Sequence, residues 1–235
     1  MFKAIAGLLG LTYTRDVDDL AIELNIALLP SPDLSERLVE VSGEFAGRYP
    51  AVVRLDDGGT LANAPHLTLY QVAIGLDALE RLHTGLGEIA ASGRRVKLRC
   101  KGLAYNAGEA SLEAQTEIPG ELVELQESVI ALANPIRGDR LLERDPAGNP
   151  MADLCQGDDP VGRNIQDTGY AEVGELFRPH YTLNWFTLGT VVPAGDIECA
   201  VDPDTLTGSC PALGLFTLGP HGTCPQLLAR YAFGG

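Results

Sequence analysis

The string Pro65-His66-Leu67-Thr68-Leu69 returns, with one change, as Pro179-His180-Tyr181-Thr182-Leu183, 114 residues later (180 − 66). With proline and threonine each near ~5% of residues, such a string should surround a given histidine about once in a few thousand. Two of the four histidines carry it. A repeat of this kind predicts two related lobes facing each other, each presenting one copy. In a strand, residues i and i+2 share a face, so His66 projects with Thr68, and His180 with Thr182. Leu67, Leu69, Tyr181 and Leu183 fall on the opposite, apolar face. The proline ahead of each histidine suits a strand's first residue, where no ladder donor is needed. By the same alternation Tyr70 and Asn184 continue the His-Thr face and are candidate substrate contacts, while Trp185 belongs to the core.

The rest of the chain reads as a mixture of strands and helices. Leu24 to Leu29 is a short apolar strand ended by proline. Ser31-Pro32 opens a helix to about Tyr49, with Leu34, Leu38, Val41 and Phe45 at helical spacing. After the loop Asp56 to Gly59, the first motif begins a strand from Pro65 to Ile74. Asp77 to Ala91 and Glu121 to Ala133 are amphipathic helices. Between them, Arg94 to Tyr105 and Ala110 to Thr116 are strands joined by the turn Asn106-Ala-Gly-Glu109. Residues 135–172 turn to Gly, Asp, Asn, Pro and Arg without periodicity, the signature of a long loop or insertion. A strand from Phe177 to Leu188 carries the second motif. A helix or turn near Gly195 to Leu206 and strands near Leu213 to Leu218 and Leu227 to Phe233 complete the chain. Strands and helices do not alternate as in a doubly wound sheet, so the expected class is antiparallel α+β. A single two-lobed domain over residues 1–235 is expected, with 1–23 an N-terminal extension.

Paired imidazoles, with pKa near ~6.5, can hold opposite protonation states at neutral pH. One can take a proton from water while the other protonates a leaving oxygen across a phosphorus atom. Threonine hydroxyls can donate to the non-bridging oxygens as charge builds. This chemistry calls for no metal and no cofactor. The two strings resemble the paired H-x-T-x motifs of the two-histidine phosphoesterase superfamily, which includes bacterial RNA 2′-5′ ligases and cyclic nucleotide phosphodiesterases. That resemblance implies a bilobal fold in which two antiparallel sheets face a central groove, with helices on the outside. It also implies His66 and His180 as the acid–base pair, with Thr68 and Thr182 as phosphate ligands. The spacing between motifs, lengthened by residues 135–172, and the segment before Leu24 depart from compact members of the family.

A formal net charge of −15 disfavours a duplex-DNA surface, since phosphate backbones are held mainly by Lys and Arg. The expected partner is a small nucleotide or short oligonucleotide, cyclic or 2′-5′ linked. The one strongly basic run, Arg94 to Lys101, places Lys97 and Arg99 on one strand face, either as phosphate attractors or as a solvated edge. His221, in a turn, reads first as a surface histidine, with an approach to the groove as the alternative, and His83 lies beside the apolar stripe of its helix. No segment is long enough to span a bilayer. The run from Met1 to Leu11 reads as a short helix against the body, and a monomer in the cytoplasm is expected. The five cysteines contain no C-x-x-C pair and read as free thiols, or as one C-terminal disulfide if the protein is exported. Two other functions stay open: a nucleotide-binding protein without turnover, and RNA end processing or ligation.

Overall fold

The computed structural model describes residues 20–55 and 63–235. The expected N-terminal helix and the turn at 56–59 lie outside them. The class is α+β, with two four-stranded antiparallel sheets. The first has the order β10(Gln226–Ala232)-β9(Ala212–Thr217)-β1(Ala21–Leu29)-β3(Leu67–Gly75). The second has the order β2(Ala51–Arg54)-β7(His180–Phe186)-β6(Ser111–Thr116)-β5(Cys100–Asn106). A small ribbon pairs β4(Val96–Leu98) with β8(Gly208–Cys210). The strand β1 begins at Ala21, so the last residues of the expected extension belong to the sheet.

Each sheet is covered in part by a helix that directly follows a strand of the other sheet. The helix α1(Pro32–Arg48) follows β1 of the first sheet but packs under β7 and β2 of the second. Its stripe Leu34, Leu38, Val41 and Phe45 is buried. The helix α3(Gly120–Arg137) follows β6 of the second sheet but packs on β3 of the first, beside α2(Leu79–Ser92). Gly85 of α2 faces Leu132 of α3 at this contact, where a β-carbon would lie 2.4 Å from Leu132 Cδ1. One apolar cluster consequently runs through both lobes, from Leu24 and Leu69 to Leu112 and Leu183.

Three sequence expectations change. The helix α3 runs through Pro135 rather than ending before it. The proline removes one intrahelical bond, but the turn beyond it is held by buried Ile136 and by Arg137, whose Nη1 donates to Arg140 O at 2.8 Å. Residues 135–172 are not an unstructured loop. They hold the end of α3, a short helix α4(Met151–Leu154) and α5(Pro160–Thr168). The side chain of Asp159 caps α5 by accepting from Gly162 N at 2.8 Å. Met151, Ile165 and Leu142 pack with Ala73 of β3, so this segment is anchored to the first sheet. The Asp159-Pro160 pair is a helix-start signal in its own right. Finally, Arg94 to Tyr105 is not one strand. It changes partner at Arg99, pairing with β8 before it and with β6 after it.

Candidate active site

The histidine-threonine motifs sit on β3 and β7, the edge of the first sheet and an inner strand of the second. His66, Thr68, His180 and Thr182 line one cavity of about 430 Å³. The two imidazoles are held alike. His66 Nδ1 lies 2.7 Å from Ala64 O, and His180 Nδ1 lies 2.6 Å from Arg178 O. A carbonyl oxygen can only accept, so Nδ1 carries the proton in both rings. Each Nε2 is left as the working atom, an acceptor when the ring is neutral and a donor when it is charged.

The two halves correspond residue by residue. Along β1 and β3, Ala27 faces Thr68, Ile26 faces Tyr70 and Asn25 faces Gln71, leaving Leu69 without a partner. Along β6 and β7, Glu113 faces Thr182, Leu112 faces Asn184 and Ser111 faces Trp185, leaving Leu183 without a partner. Each strand thus carries a β-bulge one residue after its threonine. A bulge inserts one residue and reverses the alternation beyond it. The backbone carbonyls of both extra leucines are satisfied by a buried polar side chain on the covering helix. Ser42 Oγ of α1 donates to Leu183 O at 2.8 Å, and Gln126 Nε2 of α3 donates to Leu69 O at 3.0 Å. Ser42 Oγ also accepts from Leu55 N at 2.9 Å, and Gln126 Nε2 also reaches Glu172 O at 3.0 Å.

The bulges correct three sequence assignments. Tyr70 does not share the His-Thr face. It is fully buried in the core, its hydroxyl donating to Thr168 O. Asn184 is likewise buried, with Nδ2 donating to Ser42 O at 3.1 Å. In their place Gln71 and Trp185, three residues after each threonine, line the cavity. Trp185 is therefore a wall residue of the site as well as a buried one. Lys97 and Arg99, on the basic run, stay outside the cavity. Both are exposed on the strand segment that changes partner, and Arg99 pairs with Glu117 at 3.5 Å.

The lobes differ in electrostatics where they match in geometry. The Glu113 carboxylate stands where the first lobe has Ala27, and its Oε1 lies 3.9 Å from His180 Nε2. It is also ion-paired to Arg178, which binds Glu172 at 3.2 Å. His66 has an apolar setting instead, with the Phe216 ring centroid 6.1 Å away. Burial pushes its pKa down to about 4, with the positive charge of His180 a lesser contribution and the Ala64 carbonyl opposing. Thr68 is backed by buried Asn25, whose Nδ2 donates to Thr68 Oγ1 at 3.0 Å, leaving the threonine's own hydrogen available to the cavity.

The remaining histidines divide. His83 is remote from the cavity and bonded to the Tyr231 hydroxyl at 2.6 Å. His221 lines it, lying 4.7 Å from the Trp185 ring with its backbone at φ 60° beside Gly222. The described cysteines are all free thiols. No helix among the described residues is long and apolar enough to cross a membrane.

No family model and no curated protein sequence matches the chain. Solved structures do. TT0787 of Thermus thermophilus superposes with a TM-score of 0.58 at 16% identity, covering 91% of this chain and 99% of that one. E. coli LigT in its apo form gives 0.56 at 11% identity, covering 92% and 99%. A protein described as a phosphoesterase gives 0.51 at 14% identity, covering 92% and 100%. LigT has been solved with phosphate, 3′-AMP, ATP and NADP+. In fold, the chain stands with LigT and these structural neighbours, in the bilobal architecture that its resemblance to the two-histidine phosphoesterases implies.

Proposed function

We propose that the chain is a two-histidine phosphodiesterase that hydrolyses a cyclic nucleotide or short oligonucleotide without a metal. The observation that carries this reading is the matched pair of imidazoles in one cavity, each with Nδ1 tied to the carbonyl two residues before it. His66, disposed by burial to stay neutral, takes a proton from water at Nε2 as the water oxygen bonds to phosphorus. His180, with the Glu113 carboxylate beside it, acts as the acid and gives a proton from Nε2 to the leaving oxygen as the P–O bond breaks. Thr68 and Thr182 donate to the non-bridging oxygens. The products are a phosphomonoester and the two histidines with protons exchanged, restored by solvent.

The test is a panel of cyclic mono- and oligonucleotides assayed in chelator with product identification. Hydrolysis is expected to persist there and to fall by orders of magnitude in His66→Ala and in His180→Ala. Full activity in both variants, or tight binding with no product after long incubation, would overturn the reading.

A further inference from the structure

The cavity's charge is unlike what a polyanionic substrate would need. Among the described residues that line it stand four carboxylates, Glu109, Glu113, Asp145 and Glu172, and a single arginine, Arg178. That arginine is already committed to Glu113 and Glu172. The basic strand that could have supplied compensation carries Lys97 and Arg99 outside the cavity. Glu109 is half-buried on the turn before β6, and burial first, then the negative charge of Glu113, pushes its carboxyl above the ordinary range. Apolar walls come from the segment before His180, through Leu142, Met151, Leu154 and Leu176, and Gln71 and His221 are further polar side chains of the lining. Tyr170 and Trp185 add aromatic surface, and the buried Trp185 Nε1–H has no partner among the described residues.

Resting on the reading above, we infer that this site selects a phosphodiester with a single phosphate and a compact, uncharged or amine-bearing remainder, a nucleoside cyclic phosphate rather than an oligonucleotide. The phosphate is met by the two histidines and two threonines. The body of the ligand fills the apolar chamber, of a size suited to one small molecule. Its amino or hydroxyl donors meet Glu109, while a second phosphate brought near the same wall is repelled by the surplus of carboxylates over the one committed arginine.

The experiment compares two substrates with the same reacting group: a nucleoside 2′,3′-cyclic phosphate, and a dinucleotide ending in that cyclic phosphate. At low ionic strength kcat/KM is expected to be at least about tenfold higher for the mononucleotide, about 1.4 kcal/mol. Added salt should narrow the gap by screening, and Glu109→Gln should narrow it at low salt. Equal or better turnover of the dinucleotide at low salt would overturn the inference while leaving the phosphodiesterase reading intact. So would a preference that neither salt nor Glu109→Gln changes, because its origin would then be steric. If neither substrate is hydrolysed the phosphodiesterase reading fails. Calorimetric binding of 3′-AMP against a 3′-phosphorylated dinucleotide then decides the inference alone, with the same tenfold preference expected and equal or tighter dinucleotide binding overturning it.

Discussion

The burial of His66 carries a thermodynamic signature. Above its ordinary pKa of 6.5 the folded and unfolded chains both hold it neutral. Between 6.5 and about 4 the unfolded chain takes up a proton that the folded one refuses. Stability is therefore present above the unfolded pKa and lost as pH falls through this window, by up to about 3 kcal/mol. Urea unfolding at pH 7 and pH 4.5 should show a smaller acid loss in His66→Gln than in the parent chain; an equal loss in both would contradict the burial argument. The threonines act differently, through hydrogen bonds that strengthen only as charge develops. Thr68→Ala and Thr182→Ala should each lower kcat by about 10²- to 10³-fold with little change in KM, read by steady-state kinetics on a cyclic phosphate.

Among the elements, the two bulged strands decide what is legible in the sequence. The motif residues are readable because His-x-Thr precedes the bulge, where simple alternation holds. Tyr70, Asn184 and Trp185 follow it, and alternation carried past an inserted residue assigns each to the wrong face. A signal does exist on the helices. Ser42 and Gln126 are polar residues facing the sheet among apolar neighbours, and a buried polar side chain needs a partner. Each bonds a carbonyl of the extra residue in its strand's bulge. Ser42→Ala and Gln126→Ala should each cost about 1–3 kcal/mol by chemical denaturation. Losses under a few tenths would mean that these bonds do not hold the bulges. The basic strand escapes sequence reading for a different reason: a change of hydrogen-bonding partner at Arg99 leaves no mark on hydrophobic periodicity.

For the whole molecule, the crossing of α1 and α3 between the sheets matters most. The helix α2 packs on β9 and β10 of the first sheet, but β3 of that sheet is covered by α3, which follows β6 of the second. In turn β7 and β2 of the second sheet are covered by α1, which follows β1 of the first. The burial of each sheet thus draws on a helix that follows a strand of the other. The chain should therefore unfold in one transition, with Trp185 fluorescence and far-ultraviolet circular dichroism giving the same denaturant midpoint. Separate midpoints would indicate independent lobes. The general architecture is visible in the order of elements and the repeated motif, whereas this interlocking is not, since sequence periodicity shows that a helix has an apolar face but not which sheet receives it. The paired bulges also have a practical side. Beyond each threonine the next groove-facing position is three residues on, at Gln71 and Trp185, and its immediate neighbours Tyr70 and Asn184 face inward. Those two positions give a protein engineer a matched pair of addresses, one per lobe, at which ligand preference can be rewritten while the catalytic motifs and the packing beneath the sheets keep their native residues.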